Sequence, residues 1–365
     1  MDKLQTNTTP IAKSLCVEPQ KLWRWYRDTL SGFLEPEIQN KLHQFDLKIK
    51  EKGLEKEIRV PVLKPQNFGP NMAIDEKQIG EEMHTVLSNR DTGKIAMLAK
   101  TLKAKELGIL TSFFDGKGFE VKTITRDLSN SYDWFCRASF PNAGHIADKF
   151  HIIKSLLEAC QDVRVRYRQE ILRDKRIKHE QHKQQEKQRE SQYLLEGKRF
   201  IKRKFKYKEQ KTENGETPLE LLARSRFLLF KYENQWTQNQ KNRAKTLFKI
   251  YPEIQQAHKL SCQFREWYKR KNIGADKTSI NLELNDWYRK VEQSGIDEIL
   301  NFKSMVERNE TIIKRYFDKG DTNAIAENIN GKIKRFIMIN QGTRDREFFY
   351  FRLGDRKSTR LNSSH

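Results

Sequence analysis

The chain has 365 residues, with 71 Lys and Arg against 49 Asp and Glu, a formal charge of +22. That length accommodates two or three domains with real cores, and that charge predicts a polyanionic partner, nucleic acid being the common one. No apolar run reaches the roughly 18 residues of a membrane span, and MDKLQTNTTP at the start has no apolar core of a secretory signal, so a cytoplasmic location is expected.

Residues 1–60 read as a small helical region. Ile11, Ala12 and Leu15 lie on a short helix, Cys16 and Val17 make a turn, and Pro19 opens a second helix. The rhythm is that of a helix-turn-helix and equally of a plain helical hairpin. Under the first reading Gln20, Lys21 and Arg24 face DNA while Leu22 and Trp25 pack inward. Residues 40–58 are charged and helical, a connector, and 61–70, with three prolines and a glycine, read as a linker.

From residue 71 the pattern turns to strands. Met72-Ala73-Ile74 precedes Asp75; Met83–Leu87 and Lys94–Leu98 follow, separated by the turn sequence Asn89-Arg90-Asp91-Thr92-Gly93. Lys103–Phe114 is helical, with Leu107, Leu110 and Phe114 on one side. A period-two stretch beginning at Phe119 predicts a further strand running into Asp127, and Ser129, Asn130 and Ser131 suit a helix start. His145–Ala147 forms a last apolar run before Asp148-Lys149-Phe150-His151 and another helix. The order strand, strand, strand, helix, strand, helix is that of a ribonuclease-H-like core, 71–160, with Asp75 and Asp127 at the carboxyl ends of adjacent strands. Asp127 taken alone is also an ordinary helix cap.

Residues 161–320 read as a basic, all-helical insertion. Between Asp162 and Lys211 there are 18 Lys and Arg against 8 Asp and Glu. Lys198, Arg199, Lys202, Arg203 and Lys204 interleave with Phe200, Phe205 and Tyr207, which suits a phosphate track with base stacking, or a solvated face whose aromatics turn to a core. Leu219–Lys231, Trp236–Tyr251 and His258–Tyr268 are amphipathic, and Trp236, Trp267 and Trp287 are read as core. In residues 321–354 a helix capped by Thr322 or Asn323 carries Ile325, Ile329, Ile333 and Phe336 on one stripe. Glu327 lies off that stripe beside Ala324 and Ala326, and Lys332 and Lys334 follow on a polar face. Residues 355–365, DRKSTRLNSSH, read as the translation of a sequencing adaptor and are set aside. The four cysteines, Cys16, Cys136, Cys160 and Cys262, have no disulfide-type or CxxC spacing, which predicts reduced thiols.

Asp75, Asp127 and Glu327 are hard oxygen donors, suited to magnesium or manganese. Two such ions about 4 Å apart serve phosphodiester displacement. The stretches AIDEKQIG, TRDLSNSYDWFCRASFPNA, HIADKFHIIK, LARSRFLLFKYENQWTQNQ, TNAIAENINGKIKRF and FFYFRL together resemble the DDE transposases of the ISL-three type. The resemblance runs from about Ile11 to Leu353. It implies a ribonuclease-H-like α/β catalytic domain interrupted by a large helical insertion, in a bacterial, nucleoid-associated enzyme. Its activity is then magnesium-dependent cleavage and strand transfer of an insertion sequence at its terminal inverted repeats, by at least a dimer holding both ends. Asp75, Asp127 and Glu327 become the catalytic, metal-binding trio. Asp148 and His151 match the Asp-x-x-His pattern after the second aspartate, His151 contacting a strand phosphate or serving only as a helix-start residue. Fuller members carry an N-terminal zinc module, whereas this chain has only Cys16 there, so either the module is absent or a separate reading frame encodes it. Two alternatives stand beside this reading: a non-catalytic DNA-binding relic and a ribonuclease-H-fold repair nuclease.

Overall fold

The computed structural model describes residues 8–51, 53, 62–207, 209–269, 272–319, 324–340 and 345–354, with the side chains at 41, 45, 48, 62, 319, 324–327, 330 and 354 outside the description. The chain divides into two units, one of residues 1–151 with 311–365 and one of residues 152–310. The helical insertion therefore begins and ends about ten residues earlier than the expected 161–320.

In the first unit the helices α1 (Thr8–Ser14), α2 (Pro19–Trp25) and α3 (Pro36–Glu51) precede the sheet. Cys16 turns the chain between the first two with φ of 54°, a conformation that costs a side-chain-bearing residue some strain. Leu22 is buried as expected, and Ala12 is buried too, but Trp25 is 55% exposed and does not pack inward. The inward aromatic is its neighbour Tyr26, which with Phe33 packs against Phe348. The helical region is thus fastened to the C-terminal helix of its own unit.

Among the described residues the sheet has six strands: β1 (Val62–Leu63), β2 (Asn71–Ile79), β3 (Glu82–Asn89), β4 (Ile95–Ala99), β5 (Thr123–Arg126) and β6 (Gly144–Ala147). Their order is β1-β4-β3-β2-β5-β6. β2, β3 and β4 form the expected antiparallel meander, and β5 and β6 add in parallel on the β2 side. The Asn89 side chain shapes the turn before β4 by accepting from the backbone N–H groups of Asp91 (2.8 Å) and Thr92 (3.1 Å), the local bonding for which Asn favours turns. Two expectations fail. The supposed linker supplies β1, which pairs with β4 through Val62 and Leu63. The supposed strand from Phe119 is a 3-10 turn, Lys117–Glu120, and pairing starts only at Thr123. Gly118, within that turn, packs close to α5: a Cβ there would lie 2.2 Å from the Ser139 carbonyl oxygen, an approach only glycine permits.

Side chains alternate across the sheet. One face sends Met72, Ile74, Leu87 and Ile124 against α4 (Ala104–Leu110) and α5 (Asn130–Ser139), meeting Leu107, Leu110, Phe114, Tyr132 and Phe135. The other sends Ile79, Val86 and Leu98 against Ile329, Ile333 and Phe336.

The 47-residue helix α6 (Lys149–Leu195) follows β6; Lys149–His151 belong to the first unit and the rest of the helix to the second. It is followed by α7 (Pro218–Arg224), α8 (Gln238–Ile250), α9 (Pro252–Trp267), α10 (Lys277–Ser294) and α11 (Asp297–Arg308). Thr217 with Glu220 and Thr237 with Gln240 form capping boxes that start α7 and α8. The core is aromatic: Phe264 touches Trp267, Trp287 and Phe302. The Trp267 and Trp287 indoles donate to the carbonyls of Ile280 (3.1 Å) and Leu260 (2.9 Å), so both tryptophans are core residues, as expected.

The chain then returns to the first unit through the short helices α12 (Glu310–Lys314) and α13 (Tyr316–Lys319), reaching α14 (Ala324–Ile339) and α15 (Arg346–Gly354). Thr322, Asn323 and residues 355–365 lie outside the described residues.

Candidate active site

Pairing of β2 with β5 runs Asn71↔Thr123, Met72↔Ile124, Ala73↔Thr125. Pairing of β5 with β6 runs Thr123↔Gly144 through Arg126↔Ala147. Both registers, carried forward, put Asp75, Asp127 and Asp148 at one level of three neighbouring parallel strands. In-register residues of parallel strands point to the same face, and Asp75 shares its face with Val86, its partner on β3, and with the helix α14.

Each aspartate is held by local bonds. Asp127 Oδ1 accepts from Ser129 N at 2.9 Å, and Asp148 Oδ1 accepts from Phe150 N at 3.0 Å. The two strand ends are built alike, each acid bridging to the backbone two residues on, where a helix begins. The cap of α5 is Ser129, whose hydroxyl accepts from Tyr132 N; Asp127 is not that cap. Asp75 Oδ1 accepts from Glu76 N at 2.8 Å.

His151, from the first turn of α6, joins the group. Its Nε2 lies 3.9 Å from Asp75 Oδ1 and 3.7 Å from Asp148 Oδ2. These are electrostatic separations, longer than hydrogen bonds. His151 is 37% exposed at its side chain, whereas Asp148 is 4% exposed. Glu76 belongs to the same neighbourhood: burial raises its pKa, and the charges of Asp127 and Asp75 raise it further, against the opposing effect of His151. Crowded carboxylates of this kind suit a hard divalent cation, which would relieve the repulsion. Among the described residues, no three Asp, Glu, His or Cys side chains already close around an ion-sized space. Glu327 lies in α14, the helix whose Ile329, Ile333 and Phe336 cover the Asp75 face; its side chain is outside the described residues.

Beneath Asp127 lies a layer that was not expected. Arg126, 3% exposed at its side chain, donates Nη1 to the Asp127 carbonyl (2.8 Å), Nε to His145 Nδ1 (3.3 Å) and Nη2 to Asp133 of α5. Burial, followed by the charges of Arg126 and Arg137, pushes the His145 pKa down to about 4. Arg315 reaches back from beyond the insertion to donate to the His145 carbonyl at 3.1 Å. Lys149 Nζ donates to Tyr316 Oη at 2.8 Å, and burial lowers its pKa to about 8. Arg126 and Asp133 stand beside Asp127 in sequence, but their meeting with His145 depends on strand order, which residue types alone do not reveal.

The basic candidates fall on separate elements. Gln20, Lys21 and Arg24 are exposed on α2, and Lys334 is exposed on α14, where Lys332 is half-buried. Lys198, Arg199, Lys202, Arg203 and Lys204 are exposed after the end of α6. Phe200, Phe205 and Tyr207 do not stand free for bases: they fold back on α6 against Tyr193, His179 and Lys175.

Asp127 and Asp148 follow the ends of β5 and β6, whereas Asp75, expected at a strand end, lies midway along β2, which pairs with β3 on to Ile79; the sheet order is consistent with a ribonuclease-H-like α/β enzyme. Residues 72–353 match the family of DDE transposases of the ISL-three type, described as transposase, and the chain belongs to that family. Its place is in transposition, the DNA recombination of an insertion sequence, and the family generally uses divalent metals. No curated protein matches the chain. Among the described residues no helix is long and apolar enough to cross a membrane.

Proposed function

We propose that the chain is the active transposase of its insertion sequence, cutting the element's ends at the terminal inverted repeats and transferring them to target DNA. The observation that carries this reading is the shared level of Asp75 and Asp127 on adjacent parallel strands, on the sheet face that α14 covers. Asp75, Asp127 and Glu327 would hold two divalent ions, magnesium or manganese, through carboxylate oxygens. When bound, such ions activate a water or a 3′-hydroxyl and offset charge on the leaving oxygen.

The chain's own groups do the rest. Strand register fixes the first two acids relative to each other, and the bonds to Ser129 N and Glu76 N set their rotamers. His151, more exposed than the acids around it, contacts a phosphate of the scissile or non-transferred strand. The cations of α2, of the segment after α6, and Lys332 and Lys334 bind the DNA backbone, with affinity falling steeply as salt rises. Pairing two element ends requires at least a dimer.

The test uses duplexes carrying the inverted repeats that bracket the gene. Wild-type protein with magnesium is expected to nick these ends and join them to a target. Asp127→Asn should lose both reactions by about 10³-fold or more, as when one member of a catalytic unit is removed, while still binding the duplex. Wild-type rates from Asp127→Asn, or magnesium-independent cleavage, overturn the reading.

A further inference from the structure

Residues 171–207 form a helix with its continuation strapped back along it. Gly197, at φ of 64°, ends α6, and Lys198 N donates to the Tyr193 carbonyl at 2.9 Å, the closing bond of a left-handed helix stop. Phe200 then packs edge-on to Tyr193, with ring centres 6.0 Å apart. Glu186, 5% exposed, accepts from Arg203 N at 2.7 Å and pairs with Arg189. Phe205 seats between His179 and His182, and Tyr207 Oη donates to Asp174 at 2.9 Å. The strap is fixed at four levels and is not a loose loop.

This arm carries 13 Lys and Arg against 5 Asp and Glu. At its end stand Leu195 (89% exposed), Ile201 (73%) and Leu194 (70%), the three most exposed large hydrophobic residues among those described. Eight consecutive residues contain all three, with Lys198, Arg199 and Lys202 exposed in and beside the same turn. Apolar side chains in full contact with water mark an interaction site when they cluster, and a surrounding of cations selects a polyanion over a protein core. Leu and Ile beside Lys and Arg are the residue types that proteins push between base pairs, unstacking a step and kinking the duplex by roughly 20–90°.

We infer that the arm tip is a wedge for duplex DNA, in which Leu194, Leu195 and Ile201 enter a base step while the neighbouring cations hold the flanking phosphates. The inference rests on the reading that the arm binds DNA. It adds deformation of that DNA, which neither charge nor family membership supplies.

The experiment uses the full chain on a duplex with dyes at both ends, for bending, and 2-aminopurine at successive steps, for unstacking. Wild type is expected to shorten the end-to-end distance and to raise 2-aminopurine emission several-fold at one step. The triple variant L194A/L195A/I201A, altered only at exposed positions, is expected to lose both signals and to keep the wild-type salt slope. Unstacking unchanged in the triple variant overturns the wedge. So does retained unstacking with loss of self-association, which makes the tip a contact between copies. A separate variant, K198A/K202A/K204A, tests the underlying reading. Its salt slope should fall by up to about 3, near 0.9 for each phosphate no longer neutralised, and an unchanged slope removes the arm from the DNA altogether.

Discussion

Arg126 holds the main-chain carbonyl of Asp127 at 2.8 Å, so the residue before the acid fixes the acid's own backbone. The same guanidinium reaches Asp133 on α5 and His145 on β6, tying three elements at one point. Burial works against its charge, and Asp133 supports it.

Removing that guanidinium leaves Asp133 without its buried partner and the Asp127 carbonyl without its donor. Breaking a buried pair costs about 3–5 kcal/mol, and the 35% exposure of Asp133 sets the expectation at the lower end. Arg126→Met should therefore lose about 3 kcal/mol in urea unfolding. Arg126→Lys, with charge but no planar fork, should recover part of the stability. Equal stability for Arg126→Met and wild type refutes the role.

His145 makes the fold acid-sensitive. Its folded pKa, about 4, lies below the ordinary value of about 6.5, so the unfolded chain binds more protons between those two pH values. The stability it contributes is present above about pH 6.5 and is lost as pH falls toward 4. The charged groups facing it are Arg126, Arg137, Asp133 and Arg315, three cations to one acid. His145→Asn should flatten the fall in melting temperature between pH 6.5 and 4. The fall should not vanish, because burial also depresses His84 and His258. A curve parallel to wild type counts against the assignment.

Phe348 is 1% exposed and lies among Trp23, Tyr26, Phe33 and Phe351. Phe348→Ala should cost about 3–5 kcal/mol through the cavity it leaves. It should also loosen the N-terminal helices, so that limited proteolysis cuts within residues 8–51 before the sheet is attacked. Uniform protection of those residues in the variant argues that the aromatic cluster does not fasten them.

Gly118→Ala is a test of backbone approach. Its Cβ would sit 2.2 Å from the Ser139 carbonyl oxygen, and relief requires moving the end of α5. A loss of about 1–3 kcal/mol is expected, read as a lowered melting temperature, whereas Gly197→Ala, which changes a residue of the other unit, should leave Thr123–Arg126 protection unchanged in hydrogen exchange.

Much of this was legible in the residues. The meander announced itself by alternation and by Asn89-Arg90-Asp91-Thr92-Gly93. The stripe of Ile329, Ile333 and Phe336 gave α14 its buried face in advance, and the 52-residue interval between Asp75 and Asp127 is the offset of the β2–β5 register. What escaped was non-local. β1 is two residues long and acquires meaning only beside β4. The alternation at Phe119 was real, yet Lys117–Glu120 form a 3-10 turn, with Gly118 packed close to the end of α5. Trp25 and Tyr26 are adjacent aromatics, and only Phe348, more than 300 residues away, decides which turns inward. Phe200, Phe205 and Tyr207 looked open to bases until the strap folded them against α6.

Among the described residues the six strands are complete by Ala147, but Ile79, Val86 and Leu98 receive their cover from residues beyond 320. A nascent chain emerging from the ribosome therefore presents a finished sheet with one greasy side bare throughout synthesis of the insertion. Prematurely terminated products keep that bare side and lack the helix proposed to deliver the third acid. Exposed apolar sheet surface of that kind makes such fragments prone to aggregation.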